Sequence, residues 1–286
     1  MLDRGVERIE ISVQDRGLGA RPDVCHRTDV RTWGWHREPR SYWCRVTNDP
    51  PTSPDGETDT DLAIRLAVET GRRLVTLRSE MFAAGAGSWE VMDTGDAVGH
   101  AFIAEQLRRL RPDDAVLDEE AAEDPRRFVS DRVWIIDPLD GTREFGEPGR
   151  QDWAVHVALW GGSEFLAGAV SLPALDLVFA TDPAPTLRPP ERDRPRLITS
   201  RYRAPYAAVL VANALGCDAV RLGSAGAKAM AVVMGDADIY VHDGGMYQWD
   251  SAAPAAVALA AGLHVSRVDG SPIVYNDRDP SLPDLI

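Results

Sequence analysis

From Asp59 onward the apolar positions fall into helical stripes and then into short strand-like runs. Leu62, Leu66, Leu74 and Leu77 recur at helical spacing, and Thr60 and Asp61 are placed to cap the segment they begin. A second helix is expected after Asp96, with Val98, Phe102, Ile103, Leu107 and Leu110 along one face. Apolar runs at 115–117, 133–136, 154–159, 167–172 and 177–179, separated by turns, read as strands of one sheet. A Pro-rich break follows over 182–193. Beyond it strands at 197–198, 220–222 and 239–241 alternate with helices over 204–215, 225–234 and 250–261. The pattern predicts an α/β (α+β) protein.

Residues 1–58 differ: Trp33, Trp35 and Trp43 sit among Arg, Asp and Pro without period, and 48–56 reads as a linker. The expected organisation is a poorly ordered extension (1–58), an α+β half that carries the acidic motifs (59–188) and an α/β half (189–286). No repeat of fixed period is visible, and Trp249-Asp250 occurs once, so it is no propeller signature.

With 44% hydrophobic residues in 286 the chain can fill a core. Its 31 basic and 45 acidic residues give a net charge of −14, which repels a nucleic-acid polymer and leaves small anions approachable only through a local cation. No run of about 18 uncharged apolar residues is present, so no membrane partner and a cytoplasmic location are expected. Three scattered cysteines, Cys25, Cys44 and Cys217, suit a reducing compartment, and Cys25, His26, His36 and Cys44 match no paired zinc-ligand spacing.

Chemistry concentrates in Val133-Trp-Ile-Ile-Asp-Pro-Leu-Asp-Gly-Thr-Arg-Glu-Phe145, where an apolar strand runs into carboxylates. Pro138 stiffens the turn, Asp137 and Asp140 can converge on one side, and the Leu139 carbonyl adds a third hard oxygen suited to Mg²⁺. Gly141 lets backbone approach a ligand, and N–H groups entering the next helix would face an anion. The plainer reading is two turn aspartates that cap a helix. Asp118-Glu119-Glu120 ends another strand, Asp250 is placed as an N-cap, and Asp93-Thr-Gly-Asp96 precedes a helix. Each has an ordinary structural explanation.

Asp137-Pro-Leu-Asp-Gly-Thr142 and Trp249-Asp-Ser-Ala-Ala253 resemble, in order and separation, the two signature motifs of the inositol-monophosphatase superfamily, and Glu119-Glu120 resembles its third acidic motif. The resemblance spans 59–286 and implies a layered αβαβα sugar-phosphatase-like fold. It also implies a Mg²⁺-dependent phosphomonoesterase. The Arg143-Glu-Phe145 tail and Thr94-Gly-Asp96 are similar to the CysQ branch, the 3′(2′),5′-bisphosphate nucleotidases. By that likeness Glu119, Asp137, the Leu139 carbonyl, Asp140 and Asp250 hold two or three Mg²⁺ ions, while Asp96 and Thr142 orient the attacking water. One ion acidifies the water and another steadies the leaving oxygen. Gly141 and Thr142 hold the phosphate, beside Asp250.

Leu222-Gly-Ser-Ala-Gly-Ala-Lys228 lacks the Walker A spacing. The resemblance makes Gly223, Ser224 and Lys228 candidates for ribose or a second phosphate, with an exposed lysine on a tight turn as the alternative. The implied reaction converts adenosine 3′,5′-bisphosphate to AMP and phosphate. Inositol or fructose phosphates on the same scaffold, and a catalytically silent binding protein, are the competing readings. Homodimers are common in the superfamily. Two departures stand out: His242-Asp-Gly-Gly245 replaces an expected arginine, and the family pattern continues beyond Leu282-Pro-Asp-Leu-Ile286 through a last strand and helix.

Overall fold

Thr58, two residues ahead of the expected Thr60, caps the first helix, α1 (Asp59–Ala83). Its hydroxyl accepts from the Asp61 N–H at 3.1 Å and contacts the Asp61 carboxylate at 2.7 Å, so Asp61 works from the third helical position and not as the cap. The computed structural model describes the backbone of residues 44–45, and residues 56–187 and 192–286. Trp33, Trp35, Trp43, Cys25, His26 and His36 lie outside the described residues, as does the expected linker up to Asp55.

The second helix, α2 (Ser88–Leu110), begins well before Asp96, so Asp93-Thr-Gly-Asp96 lies inside it. Glycine disfavours a helix interior, which is why the segment reads as a boundary. Here it permits contact: a Cβ on Gly95 would meet the Phe145 ring at 2.6 Å, and one on Gly99 would meet Pro138 at 3.0 Å.

Strands β1 (Cys44–Arg45), β2 (Ala115–Asp118), β3 (Val133–Asp140), β4 (Ala154–Trp160), β5 (Phe165–Leu172) and β6 (Leu177–Ala180) form one sheet in the order β1-β6-β5-β4-β3-β2. Only β2 and β3 pair in parallel. A single turn, α3 (Thr142–Phe145), follows β3. Then come β7 (Arg196–Ser200), α4 (Tyr206–Leu215), β8 (Asp218–Leu222), α5 (Ala225–Val233), β9 (Ile239–Tyr240), β10 (His242–Tyr247), α6 (Gln248–Ala260) and β11 (Ser281–Leu285). Strands β8-β7-β9 make a parallel sheet. Strands β10 and β11 pair antiparallel, so the segment around His242-Asp-Gly-Gly245 is strand with an irregular register rather than an open loop.

Every residue of β3 is buried, as a strand covered on both faces must be. Trp134 and Ile136 join Val155, Val157 and Leu159 in a core shared with Leu62, Leu66 and Ile103 of α1 and α2. The opposite face packs on α6, where Gly168 stands close enough that a Cβ would meet Ala256 at 2.7 Å. Helix α5 packs against β4 and β5 on one side and β9 on the other, and α4 packs on β7. The layers therefore run α, β, α, β, α, as the motif likeness implies. No helix among the described residues is long and apolar enough to cross a membrane.

Candidate active site

The carboxylates converge because β3 carries a bulge. Asp137 pairs with His156 and Asp140 with Ala154, so three steps along β3 match two along β4. In a regular strand residues three apart face opposite ways; one extra residue restores Asp140 to the face of Asp137. The strand thus continues through Asp140 and does not stop at Ile136. Glycine at 141, with φ 87°, then turns the chain into α3, and a Cβ there would crowd Ser224 at 3.0 Å.

Helix α6 brings the third carboxylate. Asp250 is the third residue of this helix and not its N-cap, and its Oδ2 accepts the Tyr247 N–H at 2.6 Å. Asp137, Asp140 and Asp250 each offer an oxygen, all within 4.8 Å of one another. Glu119 stands beside this triad at the end of β2, fixed by its N–H to the Ile136 carbonyl at 3.3 Å. Its neighbour Asp118 is buried and meets His100 Nδ1 at 3.0 Å, a structural pair. Asp96 of α2 and Thr142 of α3 also meet: the Thr142 hydroxyl lies 3.2 Å from Asp96 Oδ1 and 3.1 Å from the Leu139 carbonyl.

The two β3 aspartates differ in kind. Asp140 receives the Ala225 N–H at 3.0 Å, the Gly226 N–H at 2.7 Å and the Ser224 hydroxyl, so it caps α5 from the neighbouring sheet. Burial pushes its carboxyl up, but His156, Lys228 and Ser224 outweigh this and hold it well below the usual carboxylate range. Asp137 has the Leu139 N–H on Oδ1 at 3.1 Å, while its buried Oδ2 receives no N–H or hydroxyl donor, and its contact with the Glu119 carboxyl needs a proton between the two. Burial, with the charges of Glu119, Asp140 and Asp250, pushes Asp137 well up. A buried oxygen without such a donor in a cluster of like charge fits a divalent cation, which supplies the missing partner for all of them at once.

Burial and Asp140's charge push Asp250 up to about 6. Lost hydration and Asp250's charge push Glu119 up to about 8, although the residue as a whole is exposed. Burial and Glu120 push Asp96 up to about 7. In the unfolded chain these groups ionise near pH 4, whereas the fold keeps their protons to between about 6 and about 8. The folded state therefore binds more protons in that window, and the metal-free protein loses stability as pH rises through it. Asp140, with its lowered carboxyl, acts in the opposite sense and stabilises above its unfolded pKa. A divalent cation needs the ionised carboxylates, so the rise in melting temperature on adding Mg²⁺ should be larger at pH 8 than at pH 6. A smaller rise at pH 8 would contradict this account of the cluster.

Ser224 caps α5 by accepting the Ala227 N–H at 2.9 Å. Lys228 is not the exposed lysine of the alternative reading: it is 4% exposed, and its Nζ donates to the Gly223 and Ser224 carbonyls at 3.2 and 2.5 Å. Burial pulls its ammonium down. Behind the turn, the Gly223 N–H donates to Asp152 at 2.7 Å, and a Cβ on Gly223 would meet the Glu144 carboxyl carbon at 2.2 Å. Arg201 pairs with both Glu144 and Glu147. The sequence pattern assigned no role to Asp152 or His156 and carried Glu144 only as part of the Arg143-Glu-Phe145 tail. The signal for His156 was a lone polar residue in an otherwise apolar strand that is buried on both faces.

A model of the inositol monophosphatase family matches residues 62–284. The chain belongs to the inositol monophosphatase family. Its relatives include the 3′-phosphoadenosine 5′-phosphate phosphatase of Mycobacterium bovis, 47% identical over 226 residues, which cover 76% of this chain and 84% of that protein. The 3′(2′),5′-bisphosphate nucleotidase CysQ of Escherichia coli is 30% identical over 201 residues, covering 65% of this chain and 80% of CysQ. Among solved structures, CysQ from Bacteroides thetaiotaomicron superposes with a TM-score of 0.68 at 22% identity, over 80% of this chain and 96% of that one. That likeness establishes the fold. In the structure the carboxylates of the motifs at 119–120, 137–142 and 249–253 lie together.

Proposed function

We propose that the chain is a Mg²⁺-dependent phosphomonoesterase that hydrolyses adenosine 3′,5′-bisphosphate to AMP and phosphate. The observation that carries the reading is the Asp137, Asp140 and Asp250 triad with its buried Asp137 Oδ2, which receives no N–H or hydroxyl donor. The substrate is supported by the name of the 47% identical relative.

Glu119, Asp137, Asp140, Asp250 and the Leu139 carbonyl would hold the cations. Bound there, Mg²⁺ supplies positive charge that acidifies water and stabilises charge on the phosphoryl group. The chain's own residues do the rest. The Asp96 carboxylate accepts a hydrogen bond from Thr142 Oγ1, whose lone pairs can in turn accept one from water and so orient it. Gly141 and the Gly223-Ser224 turn form a wall in which a larger residue at 141 or 223 has no room. Lys228 supports that wall from behind.

With Lys228 committed to carbonyls, the cation available to a second phosphate is Arg143. It is exposed, lies 5.0 Å from the Tyr202 ring and has no carboxylate partner among the described residues. A charge-assisted contact of about 1.5–3 kcal/mol should favour the bisphosphate nucleotide over inositol 1-phosphate by about ten- to a hundredfold in kcat/KM. Arg143→Ala should narrow that margin with little change for the inositol ester. Equal or better turnover of inositol 1-phosphate by the unaltered protein would sink the nucleotidase assignment and leave family membership standing.

A further inference from the structure

His156 has no part in the chemistry above, yet its ring lies where the elements bearing the carboxylates meet. It is wholly buried and faces Asp137 directly across the β3–β4 pair. Its Nε2 lies 3.2 Å from Asp140 Oδ2, and its Nδ1 lies 3.2 Å from the Trp249 carbonyl and 3.8 Å from Asp137 Oδ2. The Nε2 approach is a close contact without hydrogen-bond alignment. Both nitrogens nonetheless face oxygen atoms of the elements that carry the carboxylates.

The neighbouring chain leaves room for this ring and nothing more. A Cβ on Gly226 would fall 2.1 Å from His156 Nε2 and 3.0 Å from Ala154. Glycine at the first turn of α5 is therefore a packing requirement of His156. Trp249 directly precedes Asp250, so one ring contacts the strand that supplies two carboxylates and the helix that supplies the third.

We propose that His156 is a positioning residue: it ties the start of α6 to Asp137 and Asp140, fixes the span between the metal-binding carboxylates, and so sets the affinity for the divalent cation. The proposal rests on the metal-dependent reading of the site. Groups that orient metal ligands typically contribute about 10–100-fold in metal affinity, and a brace that acts before the metal arrives should be read there and not in substrate affinity.

The test is Mn²⁺ binding to metal-stripped protein, followed by the electron-paramagnetic signal of the free ion, with KM for substrate measured separately at saturating metal. His156→Phe keeps the ring's bulk and removes both ring nitrogens; its Mn²⁺ dissociation constant should rise about 10–100-fold while KM stays within about twofold. His156→Gln, which can serve one acceptor at a time, should fall between. Gly226→Ala, by displacing the ring, should weaken Mn²⁺ binding in the wild-type background and add little to His156→Gln, since the two changes act on one contact. If His156→Phe does not fold, His156→Gln decides. Wild-type protein that binds Mn²⁺ while the folded variants match it within about threefold overturns the role of His156 alone. Wild-type protein that binds no Mn²⁺ overturns the metal reading and the brace with it.

Discussion

Asp137→Asn should abolish turnover while raising the melting temperature of the metal-free protein. The wild-type carboxylate is buried, its Oδ2 receives no N–H or hydroxyl donor, and the charges of Glu119, Asp140 and Asp250 surround it. Ionising it in the absence of a cation is therefore unfavourable, and the neutral amide removes that cost. The amide oxygen can still accept the Leu139 N–H that now bonds Oδ1, so the bulge of β3 keeps its support. Relief of about 1 kcal/mol would raise the midpoint by about 2–4 °C in a domain of this size. Loss of a metal-binding charge forfeits several kcal/mol of transition-state stabilisation, or about a thousandfold or more in rate. The comparison is turnover in Mg²⁺ against thermal melting in a chelator. A variant that keeps more than about a tenth of wild-type turnover, or melts below wild type in the chelator, contradicts the assignment.

The opposing behaviour of the two β3 aspartates could not be read from the sequence. Asp-Pro-Leu-Asp reads as two carboxylates delivered by a strand end, and both are found there. Which of them is satisfied depends on α5, whose N-terminal Ala225 and Gly226 lie 85 and 86 residues beyond Asp140. Local pattern carries no information on such pairing. The same limit explains Asp93-Thr-Gly-Asp96: Gly95 breaks a helix by propensity, but the Phe145 ring it must clear belongs to another element. Asp250 was legible as a helix-start acid and displaced by only three positions, because N-cap and third-position acids satisfy the same free N–H groups. Lys228 follows a glycine-rich turn that suggests exposure, and only the fold places its ammonium on buried carbonyls. Periodicity served best for the strands of the large sheet, whose burial on both faces leaves near-continuous apolar runs.

Asp140→Asn should differ from Asp137→Asn by losing stability as well as activity. The motif alone suggests that removing one of several mutually repelling carboxylates leaves the fold intact. The contacts of Asp140 argue otherwise. Oδ1 accepts the Ala225 N–H, while Oδ2 accepts the Gly226 N–H and the Ser224 hydroxyl and lies 3.2 Å from His156 Nε2. An amide has one acceptor oxygen, so in either orientation its NH₂ group confronts a backbone donor at the start of α5. A buried donor left unpaired costs about 1–3 kcal/mol, and here a backbone N–H at the start of α5 loses its acceptor. Midpoint losses of up to about 10 °C follow, in chelator and in Mg²⁺ alike. Because the lowered Asp140 carboxyl stabilises the fold above its unfolded pKa, the gap between wild type and variant should close as pH falls through the acidic range. Melting curves of wild type, Asp137→Asn and Asp140→Asn in a chelator between pH 4 and 8 separate the two roles. Equal midpoints for the two variants would show that Asp140 does not hold α5, and the distinction between a capping ligand and an unsatisfied one would fall.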